Sequence, residues 1–154
     1  MNFLLISGAP NTGKTTITTM IESYLRSIGF RNYCRRYIFT ENDSAIVLEG
    51  TNINGKTIRI LLNSPSDTIG IIDEVYDYYQ QNSPVDFVIT TVRDMYEERN
   101  YLFETFNINN YEYYELPLGK VSRRNDKEEA KESYFSRVLA LLKHILSMEP
   151  FYIS

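Results

Sequence analysis

The sequence predicts an α/β protein: a mostly parallel five-stranded sheet with an antiparallel hairpin strand and helices on both faces. Three observations lead there. Unbroken apolar runs at residues 2–7 (NFLLIS) and 86–91 (DFVITT) have the pattern of strands covered on both faces. Apolar residues recur at helical spacing between such runs. Two further β-rich runs flank Asn54-Gly55, a tight-turn signal. Helices alternating with strands make an α/β layer, not a bundle or a sandwich.

Each element has its own justification. Residues 2–7 form the first buried strand. A helical period follows from Thr15, with Ile17, Met20, Ile21, Tyr24, Leu25 and Ile28 on one face and Gly29 as a left-handed stop. Residues 31–39 (RNYCRRYIF) read as a second strand that carries Arg31, Arg35 and Arg36. Residues 45–49 and 57–62 read as the hairpin. The next helix puts Ile69, Ile72, Tyr76 and Tyr79 on one side. Ile69 to Ile72 followed by Asp73-Glu74 could imitate a strand ending in two acids. Too few residues separate it from Leu62 for a parallel crossover, and the spacing favours helix. After the strand at 86–91 come a helix from Met95 to Phe106, a strand at 111–116 ended by Pro117 and Gly119, and a long helix. Asp126 with Glu129 fits a capping box for that helix, whose apolar stripe includes Tyr134, Phe135, Val138, Leu139, Leu142, Ile145 and Leu146.

Composition narrows the functional classes. With 154 residues, 43% apolar and 23% charged, the chain is long enough for one domain over 1–154 with a sizeable core. A net charge of −4 argues against broad binding to nucleic acid. Cys34 is the only cysteine, which excludes an intrachain disulfide and a cysteine zinc cluster. His144 is the only histidine and reads as a residue near a helix C-terminus. The opening apolar run is too short for a signal core, and no run approaches the ~20 apolar residues of a membrane span. A cytoplasmic protein without membrane association is the expectation.

Chemistry concentrates in GAPNTGKTT, residues 8–16, which fits G-x-x-x-x-G-K-[ST] with Gly8, Gly13, Lys14 and Thr15 in register. Holding a phosphate chain means replacing its water. Consecutive backbone N–H groups at a helix N-terminus do so, and the helix dipole adds to the attraction. Glycines let the backbone curl close to the anion. The loop Gly8, Ala9, Pro10, Asn11, Thr12, Gly13, Lys14, Thr15, Thr16 is therefore the candidate nucleotide site. Lys14 supplies a point charge for the outer phosphates, and the Thr15 hydroxyl suits Mg²⁺. Its place between a buried strand and an amphipathic helix sets it apart from a chance match.

By these residues the chain resembles the P-loop NTPase superfamily. The resemblance implies a three-layer P-loop NTPase fold and Mg²⁺ with ATP or another nucleoside triphosphate, bound at the C-terminal edge of the sheet. It also implies an acid near a neighbouring strand end to hold the metal's water. Asp67 is the candidate for that role, its competing assignment being the N-cap of the following helix. Asn63 is the alternative, at the end of the strand where the superfamily normally has Asp.

The order strand–NGK–strand–S-x-x-D, then a strand ending in T-x-R, is similar over residues 3 to about 118 to small bacterial P-loop proteins regarded as ATP-binding. Those carry S-x-G-D and A-T-R where this chain has SPSD (64–67) and TVR (91–93). The guanine-reading N-K-x-D of small GTPases is reduced here to Thr91-Val92-Arg93-Asp94, and NSPSD lacks the glycine of D-x-x-G. Arg93 would stand at the phosphate edge and serve a transferring phosphoryl group, or else pair on the surface with Asp94 or Glu97. Arg123 and Arg124 could form a lid, although solvated loop charge is the commoner outcome. The tyrosine clusters at 76–79 and 111–114 read as packing more than as base-stacking groups.

Two functions follow. One is an ATP-dependent NTPase or phosphotransferase using Lys14, Asp67 and Arg93, with Thr15 and Asp67 toward the metal and a small-molecule acceptor. The other is a nucleotide-dependent regulator or adapter with slow hydrolysis and a protein partner, which Asn63 and the lack of an obvious general base favour.

Overall fold

The computed structural model describes all residues except 9–12, 42, 65–67, 95 and 121–126, and gives no side-chain placement for residues 96 and 127. The elements run β1 (Asn2–Gly8), α1 (Lys14–Ser27), β2 (Arg31–Asn32), β3 (Tyr37–Ile38), β4 (Ser44–Thr51), β5 (Thr57–Ser64), α2 (Ile69–Gln81), β6 (Phe87–Arg93), α3 (Tyr96–Thr105), β7 (Glu112–Pro117) and α4 (Lys127–Ser147). They build an α/β protein around a mixed seven-stranded sheet in the order β2-β4-β5-β6-β1-β7, with β3 also paired to β4.

The sheet departs from the five mostly parallel strands expected. β5, β6, β1 and β7 pair in parallel, while β4–β5, β2–β4 and β3–β4 are antiparallel. The extra strands come from residues 31–39, which do not form one strand. From Asn32 to Tyr37 the chain takes five steps while its partner takes three, from Leu48 to Ala45. The surplus residues leave the ladder, as in an extended bulge. The Tyr78 hydroxyl holds them: it donates to the Arg35 carbonyl at 3.0 Å and lies 2.9 Å from the Cys34 thiol.

Strand alternation explains the two cores. In β1, Leu4 and Ile6 face α1 and α4, meeting Ile17, Ile21, Leu25, Val138, Leu142 and Leu146. Phe3 and Leu5 face the other way, toward Ile72, Val75 and Tyr78 of α2 and Leu102 and Phe103 of α3. Gly29 takes φ +106°, as its stop role requires. The hairpin forms as expected, closed by Asn52, whose side-chain oxygen accepts from the N–H groups of Asn54 and Lys56, both at 2.9 Å. Residues 69–72 are helical, not strand. The buried face of α2 is turned slightly from the expected one: Ile72, Val75 and Tyr78 are buried, and Ile69 is exposed. The C-terminal tail buries Phe151 and Ile153 in the α1–α4 core, a contribution its short, irregular sequence did not signal.

Candidate functional site

Parallel pairing of β5, β6, β1 and β7 brings their C-terminal ends to one edge of the sheet. Ligands of open α/β sheets bind outside such an edge. Gly8 ends β1 there, and Arg93 ends β6 directly beside it in register. β6 thus runs two residues past the expected strand, so Arg93 is part of the ladder and not of the loop after it. α1 starts from the same edge.

Gly13 is the N-cap of α1, at φ +91° and ψ 21°. Two constraints exclude a side chain from it. The left-handed backbone disfavours any Cβ, and a Cβ here would stand 2.4 Å from Cζ of Phe135 on α4. The sequence suggested the first constraint; the second depends on a helix more than a hundred residues away. Having no side chain, Gly13 cannot cap the helix, and α1 has no acid in its first turn. α2, by contrast, is capped by Thr68, whose hydroxyl accepts from Ile71 N–H at 3.2 Å. An anion is a natural partner for the N–H groups of a helix start whose N-cap residue offers no side-chain acceptor.

Lys14 is buried, with 6% of its surface exposed, and its ammonium donates to the Gly8 carbonyl at 2.8 Å. The lysine therefore reaches back to the end of β1. Thr15 is exposed, and the Ser64 hydroxyl donates to its Oγ1 at 3.3 Å, which joins the end of β5 to the start of α1. Thr16 is exposed on the first turn. Ala9, Pro10, Asn11 and Thr12 lie outside the described residues, as do Asp67, Arg123, Arg124 and the capping residue Asp126. Asp67 as N-cap of α2 gives way to Thr68.

Asn63 sits differently from its expected place at the strand end. β5 ends at Ser64, two residues past the expected strand of 57–62. Alternation then turns Asn63 to the face opposite Leu62 and Ser64, where it is fully buried and its Oδ1 accepts from the Thr90 hydroxyl on β6. Asn63 joins two strands; Ser64 faces Thr15. Sequence reasoning missed Ser64, although extending the 57–62 alternation by two residues would have found it.

A cavity of about 50 Å³ lies beside Thr15, lined among others by Thr18, Glu22, Arg36, Ser44 and Ser64. Its charged wall is a network. The Glu22 carboxylate accepts from Arg36 at 2.5 Å and from Arg26 at 3.1 Å, and Arg36 also donates to the Ser44 hydroxyl at 3.0 Å. Burial of Glu22 opposes its ionisation. The hydrogen bonds and charges of Arg36 and Arg26 outweigh burial and hold the carboxyl below its usual range. A larger cleft of about 340 Å³ opens near Thr57 and Asp86. Its charges are engaged with one another: Arg59 bonds Glu49 at 2.9 Å, stacks on Tyr33, and its backbone N–H donates to Asp86.

Do these residues suit a metal–nucleotide? Mg²⁺ prefers hard oxygen ligands and commonly takes few from protein, the rest from water and phosphate. The adjoining Thr15 and Ser64 hydroxyls match that donor type. Among the described residues no three His, Cys, Asp or Glu side chains gather into a protein-only metal cage.

Comparison with known proteins adds little. No family model matches the chain, and no curated protein matches it. The crystal structure of APE1195 superposes with a TM-score of 0.42 at 12% identity, over 97% of this chain and 78% of that one. Among the described residues no helix is long and apolar enough to cross a membrane.

Proposed function

We propose that the chain is a P-loop protein of the three-layer NTPase type that binds a nucleoside triphosphate, ATP foremost, with Mg²⁺ at residues 8–16. The observation that carries the reading is Lys14. A buried ammonium folds back onto Gly8 at the sheet's C-terminal edge, one residue after a left-handed glycine at an uncapped helix start. A phosphate chain suits an ammonium and the adjacent N–H groups together. Bound Mg²⁺ would neutralise phosphate charge, with Thr15 and Ser64 toward it and Asp67 the candidate acid.

In this reading Lys14 and the α1 amides bind and orient the outer phosphates. Arg93, whose backbone is level with Gly8, is the candidate cation for a transferring phosphoryl group or an acceptor. The reaction class is NTP hydrolysis or phosphoryl transfer to a small molecule. A regulator that hydrolyses slowly would use the same binding groups. Thermal shifts with ATP, GTP, CTP and UTP, each with and without Mg²⁺, test the reading. ATP with Mg²⁺ should give the largest shift, since ligand at a hundred times its Kd stabilises by about 2.7 kcal/mol. Lys14→Ala should abolish it. Equal shifts in both proteins would remove Lys14 from the site.

A further inference from the structure

The cavity beside Thr15 has no role in the account so far, and its chemistry is specific. It is bordered by Arg36, Glu22 and the hydroxyls of Thr18, Ser44 and Ser64, and it adjoins the Thr15–Ser64 contact. A water needs about 10–15 Å³ of such space. About 50 Å³ therefore holds a few waters, or one tetrahedral group such as a phosphoryl, and excludes a base or a sugar. We propose that this cavity receives the terminal phosphoryl group of the nucleotide and that Arg36 reads it, so that the site prefers a nucleoside triphosphate to the diphosphate. The inference rests on the nucleotide reading of residues 8–16.

Charge supports the assignment. Glu22 and Arg36 line the cavity and balance each other, and Arg26, outside the lining, also bonds Glu22, so the cluster of three carries one positive charge in excess. Arg36 gives N–H groups to Ser44 and Glu22, and a guanidinium has five, so donors remain for an anion. Its planar fork suits phosphate oxygens better than a lysine would.

Position supports it too. Arg36 follows the two-residue surplus between β2 and β3, and the carbonyl of its neighbour Arg35 is fixed by Tyr78 of α2. Ser44 at the start of β4 and Glu22 of α1 orient the guanidinium itself. Three elements thus aim one cation at the wall next to Thr15, and the bulge that broke the expected strand is what brings it there. Glu22 is then a competitor for Arg36, a carboxylate that the incoming phosphate displaces or shares. The rival explanation is mechanical: Glu22–Arg36–Ser44 ties α1 to the sheet edge and has nothing to do with ligand.

The two separate by affinity ratio. Calorimetric titration with Mg²⁺ and either ADP or the β,γ-imido analogue of ATP is run on the full chain and on Arg36→Ala, Arg36→Lys, Glu22→Gln and Lys14→Ala. The wild type should bind the triphosphate more tightly than ADP. Arg36→Ala should lose tenfold or more for the triphosphate and less than twofold for ADP, with partial recovery in Arg36→Lys. Glu22→Gln, which keeps the arginine and removes its competitor, should tighten the triphosphate threefold or more with ADP unchanged. It decides the matter if Arg36→Ala does not fold. An unchanged ratio in Arg36→Ala and Glu22→Gln, or equal wild-type affinities, overturns the assignment and leaves a structural tie. If Lys14→Ala loses both ligands while the ratio ignores Arg36, only this inference falls. If Lys14→Ala retains both, the loop reading falls and takes the inference with it.

Discussion

The contact between Gly13 and Phe135 yields a prediction that needs no ligand. Gly13→Ala introduces two separable penalties. A Cβ at φ +91° adds roughly 1–2 kcal/mol of backbone strain. The same methyl, 2.4 Å from one ring carbon and 2.5 Å from another, adds about 1–3 kcal/mol of overpacking. Together the substitution should destabilise by about 2–5 kcal/mol. Phe135→Ala removes the ring and hence only the second penalty. In the Gly13→Ala background it should therefore be far less harmful than alone. Urea unfolding of the wild type, both single variants and the double variant, followed by circular dichroism, closes the cycle. A favourable coupling of about 1–3 kcal/mol is expected. Additivity within about 0.5 kcal/mol would refute the claim that α4 packs on the loop's final glycine.

Other consequences concern the frame around the site. Tyr78→Phe removes a hydroxyl that donates to Arg35, accepts from the buried Val47 N–H at 3.2 Å and touches Cys34; a loss of about 1–3 kcal/mol in urea unfolding is expected. Phe151→Ala should cost about 3–5 kcal/mol by the same measurement, because the ring is buried against Phe87 and Tyr114. Acid sensitivity follows from two glutamates. In Glu22 and Glu115 burial opposes ionisation, but arginine partners (Arg36 and Arg26 for Glu22, Arg99 for Glu115) bring both below the ordinary 4.5. Their folded-state values are depressed. The stability they contribute is thus present above about pH 4.5 and lost as pH falls through the lowered folded values. Urea midpoints of Glu22→Gln and Glu115→Gln should drop less than the wild type's on acidification below that point.

Much of this architecture was legible because its signals are local. Periodicity gave α1, α2 and α4; an Asn-Gly pair gave the hairpin; apolar runs gave β1 and β6. The rejected strand at 69–72 was decided by crossover length and helical spacing together, and those residues are helical. What failed depends on partners distant in sequence. Residues 31–39 have the composition of a strand, yet Tyr78 of α2 withdraws two of them from the ladder, which no window around position 34 reveals. The roles of Asn63 and Ser64 turned on β5 running two residues past 62, which puts both inside the strand, where adjacent residues face opposite sides. Within the site, Lys14 and Thr15 came from spacing. The Glu22–Arg36 wall and the Phe135 contact did not, because charge pairs and ring packing across elements leave no pattern in the chain.

The central claim is that the backbone from Gly8 to Thr16 holds phosphate. A titration of the ¹⁵N-labelled protein with ATP and Mg²⁺, followed by amide chemical shifts, tests it most directly. The account predicts the largest saturable shifts at Gly8, Gly13, Lys14, Thr15 and Thr16, with Ser64 among those affected, and none of them in Lys14→Ala. Unmoved loop amides, or shifts confined to the cleft near Thr57 and Asp86, would contradict it.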